Sequence, residues 1–160
     1  MSNDHSSPSL SVRSIEVGDV PVVSEIARAN MPYPWSRQTF SDCMKTDYHG
    51  WLVSCGDTGL ANQVMGYVMT LAQIDECQIL NICVRSAHRR KGYALALMQQ
   101  VIDFSWQQKL RRIFLEVRVS NHHAIAFYRQ LNFQQVGLRR DYYPADNGRE
   151  DALLLALKLS

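Results

Sequence analysis

The strongest periodic signal in the chain is helical. Tyr93–Gln107 carries apolar residues at Ala94, Leu97, Met98, Val101 and Phe104, the three-and-four spacing of a helix that buries one face. Before it stand three short apolar runs, Trp51–Cys55, Val64–Leu71 and Cys77–Val84, which read as strands. The middle run is rich in β-branched and aromatic types, and Gly56–Gln63 supplies a hairpin loop ahead of it. After the helix, Arg112–Val117 reads as a buried strand through Ile113, Phe114, Leu115 and Val117. Asn121 then caps a helix whose apolar face is Ala124, Ile125, Tyr128 and Leu131. Phe133–Leu138 and Ala152–Leu159 close the chain as two strands joined by a polar loop.

The first third is less regular. Leu10–Val17 alternates apolar and polar positions, as a half-buried strand would. Asp19 offers an N-cap for a helix reaching about Ala29, with Pro21 in its first turn. Met31–Trp35 must be irregular, because Pro32 and Pro34 each push the preceding residue out of the helical region. Ser36 caps a second short helix through about Met44. The resulting order, β-α-α-β-β-β-α-β-α-β-β, predicts an α+β fold. Its sheet is mixed but mainly antiparallel, with a central strand–helix–strand crossover. Residues 1–9 are expected to be a disordered tail and residues 10–160 a single domain.

Composition changes this picture little. Hydrophobic residues make up 46% and charged residues 20% of the 160, which suits one ordinary globular domain. A net charge of +2 gives no global attraction for nucleic acid, so any basic function must be local. Cysteines at 43, 55, 77 and 83 form no C-x-x-C pair, and no H-E-x-x-H accompanies them. No metal site is therefore expected, and Cys55, Cys77 and Cys83 read as core thiols of a reducing cytoplasm. The N-terminus lacks a basic segment followed by an apolar one, and no apolar run approaches about 20 residues. A cytoplasmic, soluble protein is expected.

The chemistry concentrates at Val84-Arg85-Ser86-Ala87-His88-Arg89-Arg90-Lys91-Gly92-Tyr93-Ala94, between an apolar strand and an amphipathic helix. Unpaired amides at a helix start, together with the macrodipole, make an anion site. Gly92 permits close backbone approach, and Arg89, Arg90 and Lys91 add charge. The pattern is neither G-x-G-x-x-G nor a Walker A loop, which disfavours dinucleotide folds and P-loop enzymes. A merely solvated basic loop is the plain alternative, and an RNA- or ribosome-binding module using Arg85–Lys91 is another. No aromatic platform accompanies the cluster to support the latter.

Arg89-x-x-Gly92-x-Ala94, after a strand ending Asn81-Ile82-Cys83-Val84, resembles the acetyl-CoA signature of the GCN5-related N-acetyltransferases. That resemblance implies a six- to seven-stranded sheet flanked by four helices and acetyl-CoA as acetyl donor. It also implies that Ile82 and Val84, with Cys83 between them, meet the pantetheine arm through their backbone. Arg89, Arg90, Lys91, Gly92, Tyr93, Ala94 and Leu95 would then surround the phosphates. Leu115-Glu116-Val117-Arg118-x-Ser120-Asn121, Ala124-Ile125-Ala126-x-Tyr128 and Arg139-Arg140-x-Tyr142-Tyr143-Pro144 are similar to the branch that acetylates the N-terminal alanine of a small-subunit ribosomal protein. Ala94 stands where that family commonly has glycine, and His122-His123 replaces smaller residues.

Candidate residues can then be weighed singly. Glu116 stands in an apolar strand, where a carboxylate must be paired or else pushed toward neutrality. Spacing alone leaves this and an exposed face beside Arg118 equally open; the resemblance makes Glu116 the general base. Tyr128 lies on an apolar helix face, where packing is the commoner role; the resemblance makes it the general acid. Asn121 is an N-cap that the resemblance also places against the cofactor. Tyr142 and Tyr143 lie in the loop between the last strands, and the resemblance implies that they cover the incoming N-terminus. Asp75 and Glu76 would attract a cationic peptide or simply form a solvated turn. Trp35 would line the peptide entrance or staple onto Phe40 at the start of the second helix. A monomer is expected; the resemblance makes a protein N-terminus the acceptor, with another N-terminus, a lysine side chain or a small amine as the alternative.

Overall fold

Among the described residues, seven strands and four helices follow one another in the order read above. They are β1 (Leu10–Ser14), α1 (Val20–Asn30), α2 (Arg37–Asp42), β2 (Tyr48–Cys55), β3 (Val64–Gln73) and β4 (Glu76–Val84). Then come α3 (Tyr93–Gln107), β5 (Arg112–Arg118), α4 (His122–Gln130), β6 (Gln134–Ala145) and β7 (Gly148–Lys158). The computed structural model describes residues 10–56, 63–89 and 91–159. The expected tail at 1–9, most of the expected hairpin loop, and Arg90 lie outside the described residues. The strands hydrogen-bond in the order β1-β2-β3-β4-β5-β7-β6. The β1–β2, β5–β7 and β6–β7 pairs are antiparallel, and β4–β5 is parallel across α3. The expected α+β class, with its mixed sheet and central crossover, is the observed one.

The chain divides into two compact units, one running to Thr70 and including Asn81–Asp103, the other made of Leu71–Leu80 and the chain from Phe104 onward. In the first, α1 buries Val20, Val23, Ile26 and Ala27 against Phe40, Leu52, Tyr67 and Met69. Phe40 is the hinge of this core, with its ring 5.3 Å from that of Trp35 and 5.4 Å from that of Tyr67. The Trp35–Phe40 contact is the staple expected of residues flanking a cap, and the Ser36 side chain accepts from the Thr39 amide at 3.2 Å. Tyr67 is fully buried, and its hydroxyl lies 2.8 Å from Asn81 Oδ1. Burial drives the Tyr67 phenol far above its ordinary pKa, so it stays a neutral donor.

Several boundaries differ from expectation for local reasons. β1 stops at Ser14 because Glu16 and Asp19 close a capping box around a 3₁₀ turn. Asp19 therefore does not cap α1 with its side chain; its carboxylate accepts from the Glu16 amide and both Arg13 terminal nitrogens. The second helix ends at Asp42, short of Met44. The largest correction is at the C-terminus. The polar loop between the last two strands is a hairpin with a two-residue turn, Asp146-Asn147, between the paired Ala145 and Gly148. Its residues are too polar to read as strand, because β6 is a sheet-edge strand exposed along most of its length.

The second unit buries Ile113, Leu115 and Val117 on one face of β5 and leaves Phe114, Glu116 and Arg118 half-buried on the other. Tyr67→Phe should lower unfolding free energy by about 1–3 kcal/mol, because Asn81 Oδ1 would lose a buried donor. Urea denaturation checks this; an unchanged midpoint would show that the Tyr67–Asn81 bond contributes nothing net.

Candidate functional site

In the first unit, the loop after β4 is built as an anion cradle would be. Gly92 sits at φ +86°, a conformation that L side chains rarely adopt, and among the described residues, its two chain neighbours aside, no heavy atom lies within 4 Å of where its Cβ would stand. The α3 hydrogen-bond ladder begins with the Ala96 amide donating to the Gly92 carbonyl at 3.0 Å. The amides of Tyr93, Ala94 and Leu95 therefore precede the ladder, as the first amides of any helix must. Arg89 and Lys91 are exposed, so their charge is available to a ligand.

Arg85, by contrast, is committed to structure. Its terminal nitrogens reach the two Glu25 oxygens at 3.1 and 2.9 Å, and its Nε donates to the Val64 carbonyl at 2.8 Å. The neighbouring Ser86 amide donates to Asn30 Oδ1 at 2.8 Å. The basic run Arg85–Lys91 is thus shorter as a free surface than its sequence suggests. Ahead of the loop, β3 and β4 approach closely: a Cβ on Gly66 would stand 2.7 Å from the Cys83 carbonyl oxygen. The Cys83 thiol is buried, which pushes its pKa up to about 11 and makes it an inert core group. Cys77 and Cys43 are buried too, while Cys55 is half-buried.

In the second unit, Glu116 has a side chain only 8% exposed, and Arg139 Nε meets its Oε1 at 2.8 Å. A carboxylate this enclosed needs a partner. Arg118, two residues away, bonds Glu150 at 3.2 Å and the Pro144 carbonyl at 2.7 Å. Tyr142 and Tyr143, expected in a loop, sit on β6 at an irregularity. Here Arg139 pairs with Ala152 and Tyr143 with Glu150, so three residues of β6 face one of β7. Asp141, at φ 52°, forms the bend. Its amide donates to Asp151 Oδ1, and Arg149 holds the Asp141 and Tyr142 carbonyls at 2.7 and 2.8 Å.

This bulge brings the two tyrosine rings together, 4.9 Å apart and edge to face. Hydrogen bonding to Glu116 holds the Tyr142 phenol above its ordinary pKa. Burial, reinforced by the Glu116 charge, pushes Tyr143 up to about 12. Tyr128, on α4, is buried beside the Phe127 and Phe133 rings, and burial with the nearby Tyr143 raises its pKa strongly. Glu116 is thus within electrostatic reach of Tyr142 and Tyr143, and Tyr143 within reach of Tyr128.

The remaining candidates fall elsewhere. Asn121 Oδ1 accepts from the Ala124 amide at 3.2 Å, which is a cap's geometry. Asp75 lies 3.6 Å from Arg111 and Glu76 lies 2.9 Å from Arg112, at the end of β5 away from Glu116. Both acids are paired in the solvated-turn manner. Arg139 and Glu150 were missed as site residues by sequence reasoning. The signal that would assign them is charge complementarity to Glu116 and Arg118, and that becomes readable only once strand register is known.

The acetyltransferase (GNAT) family pattern matches residues 20–133. The [ribosomal protein bS18]-alanine N-acetyltransferase of Escherichia coli K12 is 32% identical over 93% of this chain and 97% of its own. A crystal structure of the ribosomal-protein-S18-alanine N-acetyltransferase from Escherichia coli superposes with a TM-score of 0.87, covering 95% of each chain. An N-alpha-acetyltransferase of Saccharolobus solfataricus is 30% identical, with 92% of each chain covered.

Glu150 gives this region a pH dependence. Hydrogen bonds from Ser120, and then the Arg118 charge, hold its carboxyl below the usual range. A lowered folded pKa means that its contribution is complete above the unfolded value, about 4.3, and is lost as pH falls through the folded one. Melting temperature should therefore drop on acidification below about pH 5, and less steeply in Glu150→Gln. Parallel acid limbs in calorimetry would contradict this.

Proposed function

This chain belongs to the acetyltransferase (GNAT) family, and from that footing we propose that it transfers the acetyl group of acetyl-CoA to the N-terminal α-amine of a protein. The N-terminal alanine of a small-subunit ribosomal protein is the acceptor we assign. The observation that carries this is a carboxylate on a strand, 8% exposed, within reach of two tyrosines on a bulge, one of which lies near a buried tyrosine on α4. The likeness to ribosomal-protein alanine N-acetyltransferases over 93% of the chain supports the choice of acceptor. Residues 10–160 act as one domain in this reading, since the family pattern runs through both units. The protein works as a monomer in the cytoplasm; among the described residues no helix is long and apolar enough to cross a membrane.

The loop of the first unit fits a diphosphate. Tyr93, Ala94 and Leu95 present early helix amides, Gly92 leaves open space where a Cβ would be, and Arg89 and Lys91 are exposed cations. Arg90 belongs to the same set by its position. Ile82, Cys83 and Val84 form the last part of β4, past its final registered pair with β5 at Ile79. Their backbone is the edge we assign to the pantetheine arm, and Asn121 contacts the cofactor besides capping α4. When bound, acetyl-CoA supplies an activated thioester carbonyl and a thiolate leaving group.

The chain's own residues do the proton work. An α-amine has a pKa of about 7.7–8.0, so at neutral pH most of it must lose a proton before attack. Glu116 accepts that proton, through water. A backbone N–H near Val84 polarises the carbonyl oxygen. Tyr128, kept neutral by burial, donates its proton to the departing sulfur. Tyr142 and Tyr143 cover the N-terminal residue, and Trp35, besides stapling onto Phe40, borders its approach. Asp75 and Glu76, already paired with arginines, give at most a distant attraction for a basic peptide.

Glu116→Gln and Tyr128→Phe should each cut turnover about 10²–10⁴-fold while acetyl-CoA affinity changes little. Unchanged turnover in either variant would remove that residue from the chemistry. Mass spectrometry after incubation with peptides beginning Ala, Ser or Met, and one with only a lysine amine free, tests the acceptor. The alanine α-amine should be modified fastest; a preference for the lysine peptide would overturn the assignment.

A further inference from the structure

The Glu116–Arg139 pair assigns a selectivity role to a residue outside the proton-transfer steps. We propose that Arg139 is a specificity-determining residue. By neutralising Glu116, it weakens the electrostatic well for a charged ammonium and so favours the amine whose proton is easier to remove, α-amines over lysine side chains. This rests on the reading of Glu116 as the base.

Strand register is what puts Arg139 there. β5 and β6 flank β7, and the rows Arg118–Ala152–Arg139 and Glu116–Leu154–Gly137 lie side by side. Residues directly across a sheet share a face, and so do residues two apart on one strand. Arg139 therefore shares the Glu116 face. It does so only because the register shifts between Gln135 and Gly137, with Val136 extra. Without that extra residue Leu138 would stand opposite Ala152, and Arg139 would point to the other face. Gly137 and Ala152 are small enough to leave the long side chain a path over β7. The guanidinium carbon lies 5.5 Å from the Tyr142 ring centroid, so the aromatic bulge steadies its position.

The surrounding charges are balanced too. Glu150 is paired with Arg118, whose guanidinium carbon is 4.5 Å from the Tyr143 ring centroid. Asp151 and Arg149 are occupied with the bulge backbone. Arg140 and Asp141 are exposed neighbours of opposite sign. No uncompensated acid among these described residues would draw in an ammonium. At pH 8 about half of an α-amine is neutral, against about 0.4% of a lysine amine with its pKa near 10.4. A carboxylate stripped of its guanidinium would attract the lysine ammonium and erode that difference.

The test compares kcat/KM for two peptides of one sequence. One has a free α-amine and arginine in place of lysine; the other has a blocked N-terminus and one free lysine. Arg139 is 55% exposed, so Arg139→Gln is accommodated at the surface. It should lower the α-to-ε ratio about tenfold or more, a drop of about 1.4 kcal/mol in discrimination. The change should come mainly through a lower KM for the lysine peptide, with a salt dependence that the unmodified enzyme lacks. Arg139→Lys keeps the charge and should keep the ratio. An unchanged ratio in Arg139→Gln, or an equal fall in Arg139→Lys, overturns the proposal. Glu116→Gln, measured alongside, separates the two readings. If it stays active, the base assignment fails; if it is inactive while the Arg139→Gln ratio is unchanged, only the selectivity role fails.

Discussion

A carboxylate held on a sheet with 8% of its side chain exposed sets the terms for the C-terminal half of this protein. Desolvating that charge is costly unless opposite charge and hydrogen bonds replace the lost water. Arg139 and Tyr142 provide both, and both come from β6, the strand at the edge of the sheet. β6 can deliver them only by breaking its own register twice, once at Val136 and again at Arg140–Tyr142. The irregular, polar character of this strand is thus a consequence of Glu116. Arg149 and Asp151 from β7 then satisfy the backbone groups that the second bulge would leave unpaired.

The loop after β4, which we assign to the phosphates, obeys a different constraint. It needs backbone amides free at a helix start, so its order must come from elsewhere. α1 supplies it: Glu25 holds Arg85, and Asn30 accepts from the Ser86 amide. These bonds fix the beginning of the loop, ahead of Gly92. α1 is itself seated on the Phe40–Tyr67 core, so the order of the loop traces back to burial of one helix face. Placing rigid bracing on one side and open amides on the other is what preorganised anion binding requires.

Much of this was legible in the residues themselves. The helical spacing of Ala94, Leu97, Met98, Val101 and Phe104 gave α3 to the residue, because a one-sided core imposes a 3.6-residue period that little else in a sequence imitates. The caps at Ser36 and Asn121 were also readable, since they use short-range bonds between neighbours. Asp19 looked like the same kind of cap and was not, because Arg13, six residues away, competes for its carboxylate. The last hairpin was underestimated for a related reason. An edge strand carrying Arg, Asp and Tyr shows no alternation of apolar and polar positions, and its pairing with β7 is a property of two strands together.

The sequence by itself determined the order of elements, a basic loop at a helix start and the presence of a carboxylate in an apolar strand. Each is a local matter of periodicity, capping or solvation. Which cation answers Glu116 was decided only by tertiary structure. Arg118 is two residues away and on the same face, yet it is taken by Glu150. Arg139 is twenty-three residues away and reaches Glu116 across β7. One extra residue in a strand reverses the face of every side chain after it, and no local pattern of residues records whether that extra residue is there.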